Sequence, residues 1–162
     1  MNDEREVLDV LTTNARESLA DIAAQTGLDE DAVADASAAL ERDGVVRGYQ
    51  AVVDWDRTDE EKVRAVVEVH VELDRETGYE EIADRIAKFP ATHALHLVSG
   101  DYDFAVEVEG ASMQDVSRFI SEQVAPMPEV TQTVTHYIME TYKDGGVRFE
   151  DGDDDDRLSV SP

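Results

Sequence analysis

"RAVVEVHVEL", Arg64 to Leu73, decides how the larger part of this chain is built. Val67, Val69, Val71 and Leu73 fall on one side of an extended backbone, and Glu68, His70 and Glu72 on the other. Side chains alternate between faces along a strand. The pattern therefore predicts a strand of an antiparallel sheet with one dry and one wet face.

The segments that follow extend this reading. "GYEEIADRIAKF", from Gly78, carries Tyr79, Ile82, Ala83 and Ile86 at helical spacing. "THALHLVS", from Thr92, predicts a second strand, and "YDFAVEVEG", from Tyr102, a third with Tyr102, Phe104, Val106 and Val108 inward. "SMQDVSRFISEQV" predicts a second helix, capped by Ser112 with Asp115 in the box position and burying Met113, Val116, Phe119 and Ile120. "EVTQTVTHYIMETY", Glu129 to Tyr142, predicts a long last strand. The order β-α-β-β-α-β is the ferredoxin-like arrangement. Its helices cover one sheet face and leave the other free to meet a second subunit.

Before Arg64 the periodicity is helical. Val7, Leu8, Val10 and Leu11 define a first helix, and "SLAD" opens a second with Leu19, Ile22 and Ala23 inward and Gly27 as its stop. Asp29 caps a third helix with Val33 and Leu40 inward and Gly44 as its end. Helix, short glycine turn, helix is the helix-turn-helix pattern. "GVVRGYQAVVD", Gly44 to Asp54, alternates and predicts a strand, and "WDRTDEEKV" a polar connector. The fold class is α+β. The expected divisions are a helix-turn-helix domain over 1–48, a strand and linker over 49–63, the sheet domain over 64–142, and an acidic, mostly disordered tail over 143–162.

With 39 acidic against 14 basic residues, the formal net charge is −25. Apolar periodicity argues against disorder, so the acids belong on a folded surface. In a very salty cytoplasm dense carboxylates keep proteins soluble, while about 1 M salt screens self-repulsion beyond ~3 Å. A halophilic protein is the expectation, and a mesophilic one with an acidic surface is the alternative. The absence of cysteine excludes disulfides and thiolate chemistry. No apolar run reaches transmembrane length and the acidic N-terminus lacks a signal-peptide h-region, so a soluble cytoplasmic protein without membrane association is expected. His93 and His96, three apart on a predicted strand, should point to opposite faces and share no metal. His70 and His136 read as surface or interface residues. No catalytic constellation, phosphate loop or cofactor motif stands out, so the chain reads as a non-enzyme without cofactor or metal.

Three stretches resemble the Lrp/AsnC (feast/famine) family of regulators: "LDVLTTNARESLADIAAQTGLDEDAV" from Leu8, "LERDGVVRGYQAVVD" from Leu40, and "VSGDYDFAVEVEG" from Val98. With the acidic surface, the resemblance is to a haloarchaeal type. It implies a winged helix-turn-helix joined by a strand to a βαββαβ (RAM-type) domain. It implies double-stranded DNA as partner, an amino acid or related small molecule as effector, and homodimers that assemble further into octamers. A ligand-sensing subunit with weakened DNA binding that pairs with a paralogue is the alternative. Haem-pathway decarboxylases of similar fold are a remote one.

On the helix-turn-helix, Arg16 and Arg47 are the candidate phosphate contacts, with the helix starts at Ser18 and Asp29 offering backbone N–H groups. Glu30, Asp31 and Asp35 can accept from cytosine N4, and Ala34 and Ala38 can touch thymine methyls. Twelve acids face four arginines in residues 1–48. Ala36 stands where the family tends to place a basic residue. In the sheet domain, "SGDYD" predicts a β-turn with Gly100 at positive φ. Its amides can hold an effector carboxylate and Asp101 or Asp103 its ammonium. Ser99, Gly100, Asp101, Tyr102 and Asp103 are thus candidate ligand residues, with Thr131, Gln132, Thr133 and Thr135 closing the pocket from a neighbour.

Overall fold

The computed structural model describes residues 2–149, whose contacts cluster into two compact units dividing after Ala51. The N-terminal unit holds α1 (Asn2–Thr13), α2 (Leu19–Thr26) and α3 (Glu30–Arg42). Its core is Val7, Ile22, Val33, Ala36 and Leu40, one apolar stripe from each helix. Leu19, expected inside, is 43% exposed. It is the first residue of α2, at the end of the stripe that Ile22 and Ala23 continue.

The second unit is a four-stranded antiparallel sheet in the order β2-β3-β1-β4, with β1 (Val63–Val71), β2 (Thr92–Leu97), β3 (Phe104–Gly110) and β4 (Val130–Tyr137). Two helices, α4 (Tyr79–Ala87) and α5 (Met113–Phe119), pack on one face, and a π turn extends α5 through Val124. Ala65, Val67 and Val69 of β1 are fully buried against Ile82 and Ile86 of α4, and against Val116 and Ile120 from α5 and its extension. Phe104, Val106 and Val108 of β3 complete this core. Met113 and Leu73, expected inside, are 51% and 42% exposed; each sits at or beyond an element's end.

Three expectations fail. No strand forms over 44–54: beyond Val46 the backbone enters no ladder, because no strand among the described residues accepts its N–H groups. β4 ends at Tyr137, not at Tyr142. The expected disordered tail starts too early, because residues 143–148 form a hairpin, β5 (Lys143–Asp144) against β6 (Val147–Arg148). Gly145 and Gly146, both at positive φ, make a turn of the kind that matches strand twist. Asp144 anchors the hairpin to Arg64 of β1 at 3.0 Å. The remainder of the predicted tail lies outside the described residues. No described helix is long and apolar enough to cross a membrane.

The start of β4 is tied to α4 by Glu129, whose side chain is 10% exposed and accepts from Arg85 at 2.7 Å. That hydrogen bond holds the Glu129 carboxyl below its ordinary range. A lowered native pKa adds stability above the unfolded value and loses it as pH falls through the folded value. Glu129→Gln is therefore expected to be less stable than the parent at pH 7, with the gap closing below about pH 4. Melting temperatures of both proteins across that window check this.

Candidate functional site

The helix-turn-helix geometry follows from local chemistry. Ser18 Oγ accepts the Asp21 N–H and Asp29 the Ala32 N–H, so both helices begin on side-chain caps. Gly27, at φ 76°, terminates α2 in the left-handed region and donates its N–H to the Ala23 carbonyl. Val33, Ala36 and Leu40 anchor α3 inward. At helical periodicity the opposite face then carries Asp31, Ala34, Asp35, Ala38 and Arg42. Ala36 is 6% exposed, which corrects its reading as a place on the DNA-facing surface where a base is missing. A basic side chain there would enter the core. Arg42, absent from the sequence-derived set, lies on the exposed face, turned at 3.2 Å toward Asp43. Its place seven residues after Asp35 was the available signal. Glu30, Arg16 and Arg47 are exposed, and the Arg16 N–H caps back onto Asn14 Oδ1.

In the sheet unit, β2 and β3 are joined by a loop over 98–103 that is longer than a tight two-residue turn. The Val98 N–H bonds to the Asp103 carbonyl, and the Asp103 N–H to the Val69 carbonyl of β1. Gly100 has φ 116°, as expected. The backbone N–H groups of Ser99, Gly100, Asp101 and Tyr102 make no hydrogen bond among the described residues. Asp101 is exposed and unpaired there, whereas Asp103 is committed: Oδ2 accepts the Val71 N–H at 2.9 Å and Oδ1 the Tyr79 hydroxyl at 3.3 Å. The Asp103 charge pushes the Tyr79 phenol up. Tyr79, which spacing alone had assigned to the core, is 37% exposed, its ring packed edge-on against Phe104. Tyr102 tilts against His70 instead of entering the core.

The four β4 residues do not share one surface. Thr133 and Thr135 pair in register with Val69 and Val67 on the helix-covered side, while Gln132 pairs with His70 on the open side. Thr131 sits at a register shift and donates to the His70 carbonyl. The pairing of His93 and His96 is also corrected. A register shift between Thr92 and Ala94 inserts one residue and reverses the alternation. His93 thus reaches Glu109 and His96 pairs beside Ala105, both on the open face. His136 bonds to Glu68 on the same face. Even so, no group of three or more His, Asp or Glu among the described residues is placed to hold a metal.

Replacing Asp103 by Ala leaves the Val71 N–H without its acceptor and is expected to cost about 1–3 kcal/mol. Replacing the solvated Asp101 is expected to stay within about 0.5 kcal/mol. Denaturant titration of the two variants separates the structural acid from the free one.

The family model for the Lrp/AsnC ligand binding domain matches residues 64–147, and one for a winged helix-turn-helix DNA-binding domain matches residues 4–47. The uncharacterized HTH-type transcriptional regulator YugG of Bacillus subtilis is 39% identical over 160 residues, which is 98% of this chain and 96% of the relative. The leucine-responsive regulatory protein of Haemophilus influenzae is 26% identical over 137 residues, 85% of this chain and 82% of its own. The crystal structure of a transcriptional regulator of Neisseria meningitidis in complex with L-Met shares the fold, with TM-score 0.72, 18% identity, and coverage of 89% of this chain and 92% of that one. The structure of AsnC from E. coli gives TM-score 0.65 at 16% identity, covering 87% and 93%. With both of its units matched and a relative alike over nearly its full length, the chain belongs to the Lrp/AsnC family of transcriptional regulators.

Proposed function

We propose that this protein is a sequence-specific DNA-binding transcriptional regulator of the cytoplasm whose activity or assembly responds to an amino acid or related small molecule. The observation that carries the DNA reading is α3 itself, capped, anchored by three buried side chains and presenting a continuous exposed row from Asp31 to Arg42. The effector reading is supported by the match to a ligand binding domain and by the unpaired amides of residues 99–102 in the 98–103 loop. It is supported further by a relative named for its response to leucine and a structural neighbour crystallised with L-Met. Homodimers, assembling further into octamers, follow the family pattern, and the open sheet face is their proposed contact. The relatives are regulators, not enzymes, and neither a decarboxylase nor a paralogue-dependent subunit gains support from them.

The acidic face of α3 shapes how DNA is held. Phosphate neutralisation by Lys and Arg normally supplies most non-specific affinity, and the N-terminal 48 residues contain no lysine. The start of α2 is the better phosphate contact of the two helix starts. Its cap is the neutral Ser18 and Arg16 lies just before it, whereas Asp29, Glu30 and Asp31 crowd the start of α3 with negative charge. Asp31 and Asp35 are left for cytosine N4 groups and Ala34 and Ala38 for thymine methyls.

Gel shift at about 1 M KCl on a fragment from upstream of its own gene tests the reading. Retardation at micromolar dimer that holds steady as KCl rises is expected, and no retardation at any salt refutes it. The halophilic part has its own measurement. The melting temperature should climb from dilute buffer to molar KCl as carboxylate repulsion is screened, and a flat response removes that part alone.

A further inference from the structure

We infer that Tyr79 is the latch of the effector site: its hydroxyl occupies Asp103 Oδ1, a zwitterionic ligand's ammonium takes that oxygen, and binding exchanges the two. The inference rests on the reading of the 98–103 loop as the effector site. The two oxygens of Asp103 are held unequally. Oδ2 takes a backbone N–H from the end of β1 at 2.9 Å, a bond that also fixes the loop's position. Oδ1 is held at 3.3 Å by a phenol more than a third exposed. A neutral O–H donor at that length is a weak partner, and an ammonium makes a shorter, charge-assisted bond to the same oxygen. Oδ1 is therefore the replaceable contact and Oδ2 the permanent one. The free amides of residues 99–102 lie in the same loop and are available for the ligand's carboxylate.

The exchange has a structural consequence because Tyr79 is the first residue of α4. Gly78, in the cap position, has no side chain to satisfy the helix's first N–H groups. The Tyr79–Asp103 bond ties this uncapped end to the loop, alongside the edge-on contact of Tyr79 with Phe104. Releasing the hydroxyl leaves only the ring contact, so ligand arrival loosens the first turn of α4. The amides of Ala83 and Asp84, whose helical acceptors are the first-turn carbonyls of Tyr79 and Glu80, report the event without any change in fold.

Calorimetric titration of the full chain with the standard L-amino acids, on the parent, Tyr79→Phe and Asp103→Asn, tests this alongside hydrogen exchange of α4. Tyr79→Phe keeps the ring and removes the competitor. It is expected to bind the same amino acid about two- to tenfold tighter. Its α4 amides should exchange faster before ligand is added and show no further change afterwards. Asp103→Asn keeps an acceptor for the Val71 N–H but loses the charge, and is expected to bind at least about tenfold more weakly. Unchanged affinity in Tyr79→Phe, with the ligand-induced exchange of α4 still present, overturns the latch while leaving the effector site standing. Absence of binding to the parent by every amino acid overturns both.

Discussion

The hydrogen-bond ladder of β1 is the constraint on which the sheet unit depends. β1 pairs with β3 on one side and β4 on the other over most of its length. Its alternate residues Ala65, Val67 and Val69 have no exposure at all. Small β-branched side chains suit a surface that two helices must approach closely. Once those residues face the helices, Arg64, Val66, Glu68 and His70 have to face the other way. The open side is polar for this reason, and it is where Arg64 gathers Glu107, Glu109 and Asp144. Arg64 is only 16% exposed beneath three carboxylates. It ties β1, β3 and the β5–β6 hairpin with one guanidinium, whose planar fork serves several acceptors at once.

The same constraint explains why so acidic a chain folds. Among the described residues no polar or charged residue is buried. Burying an unpaired carboxylate costs far more than any packing gain it brings. The acids are therefore confined to one face of every element, and the binary pattern stays clean. Self-repulsion is a surface matter, open to screening by salt, and it leaves the two cores untouched.

This clean segregation made most of the fold legible from sequence. The order of elements in the sheet unit, Val67 and Val69 of β1 and Phe104, Val106 and Val108 of β3 as inward residues, the caps Ser18, Asp29 and Ser112, and the stop at Gly27 all follow from period and cap chemistry. What escaped depends on contacts remote in sequence. A strand over 44–54 satisfies every local preference but has no neighbour to pair with. The register shift in β2 comes from its pairing with β3, and it moves His93 to the face of His96. Ala36 is invisible as a core residue, since alanine suits either side of a helix. Its position is decided by how α3 lies on α1 and α2. The candidate ligand residues divided for the same reason: periodicity places Thr133 and Thr135 opposite Gln132 once the register is known, and register is a tertiary fact.

The carboxylates themselves teach the sharper lesson. In a chain this acidic, the presence of an Asp or Glu carries little information. What distinguishes them is the donor each one faces. Asp29 faces the N–H of Ala32, Asp74 those of Glu76 and Thr77, Asp103 that of Val71, and Glu129 the guanidinium of Arg85. These acids act through directed bonds that position the elements of the fold. Asp31, Asp35 and Asp101 face water, with no donor among the described residues converging on them. Their charge acts at longer range, where ions weaken it, and they can meet a ligand or a base without giving up a bond of the fold. The two populations answer to different variables. The first act through individual bonds, and ionic strength moves the second through the field they create together. In a chain built this way the directed bonds position each element, while salt acts on the surface field alone, adding stability as the exposed carboxylates are screened.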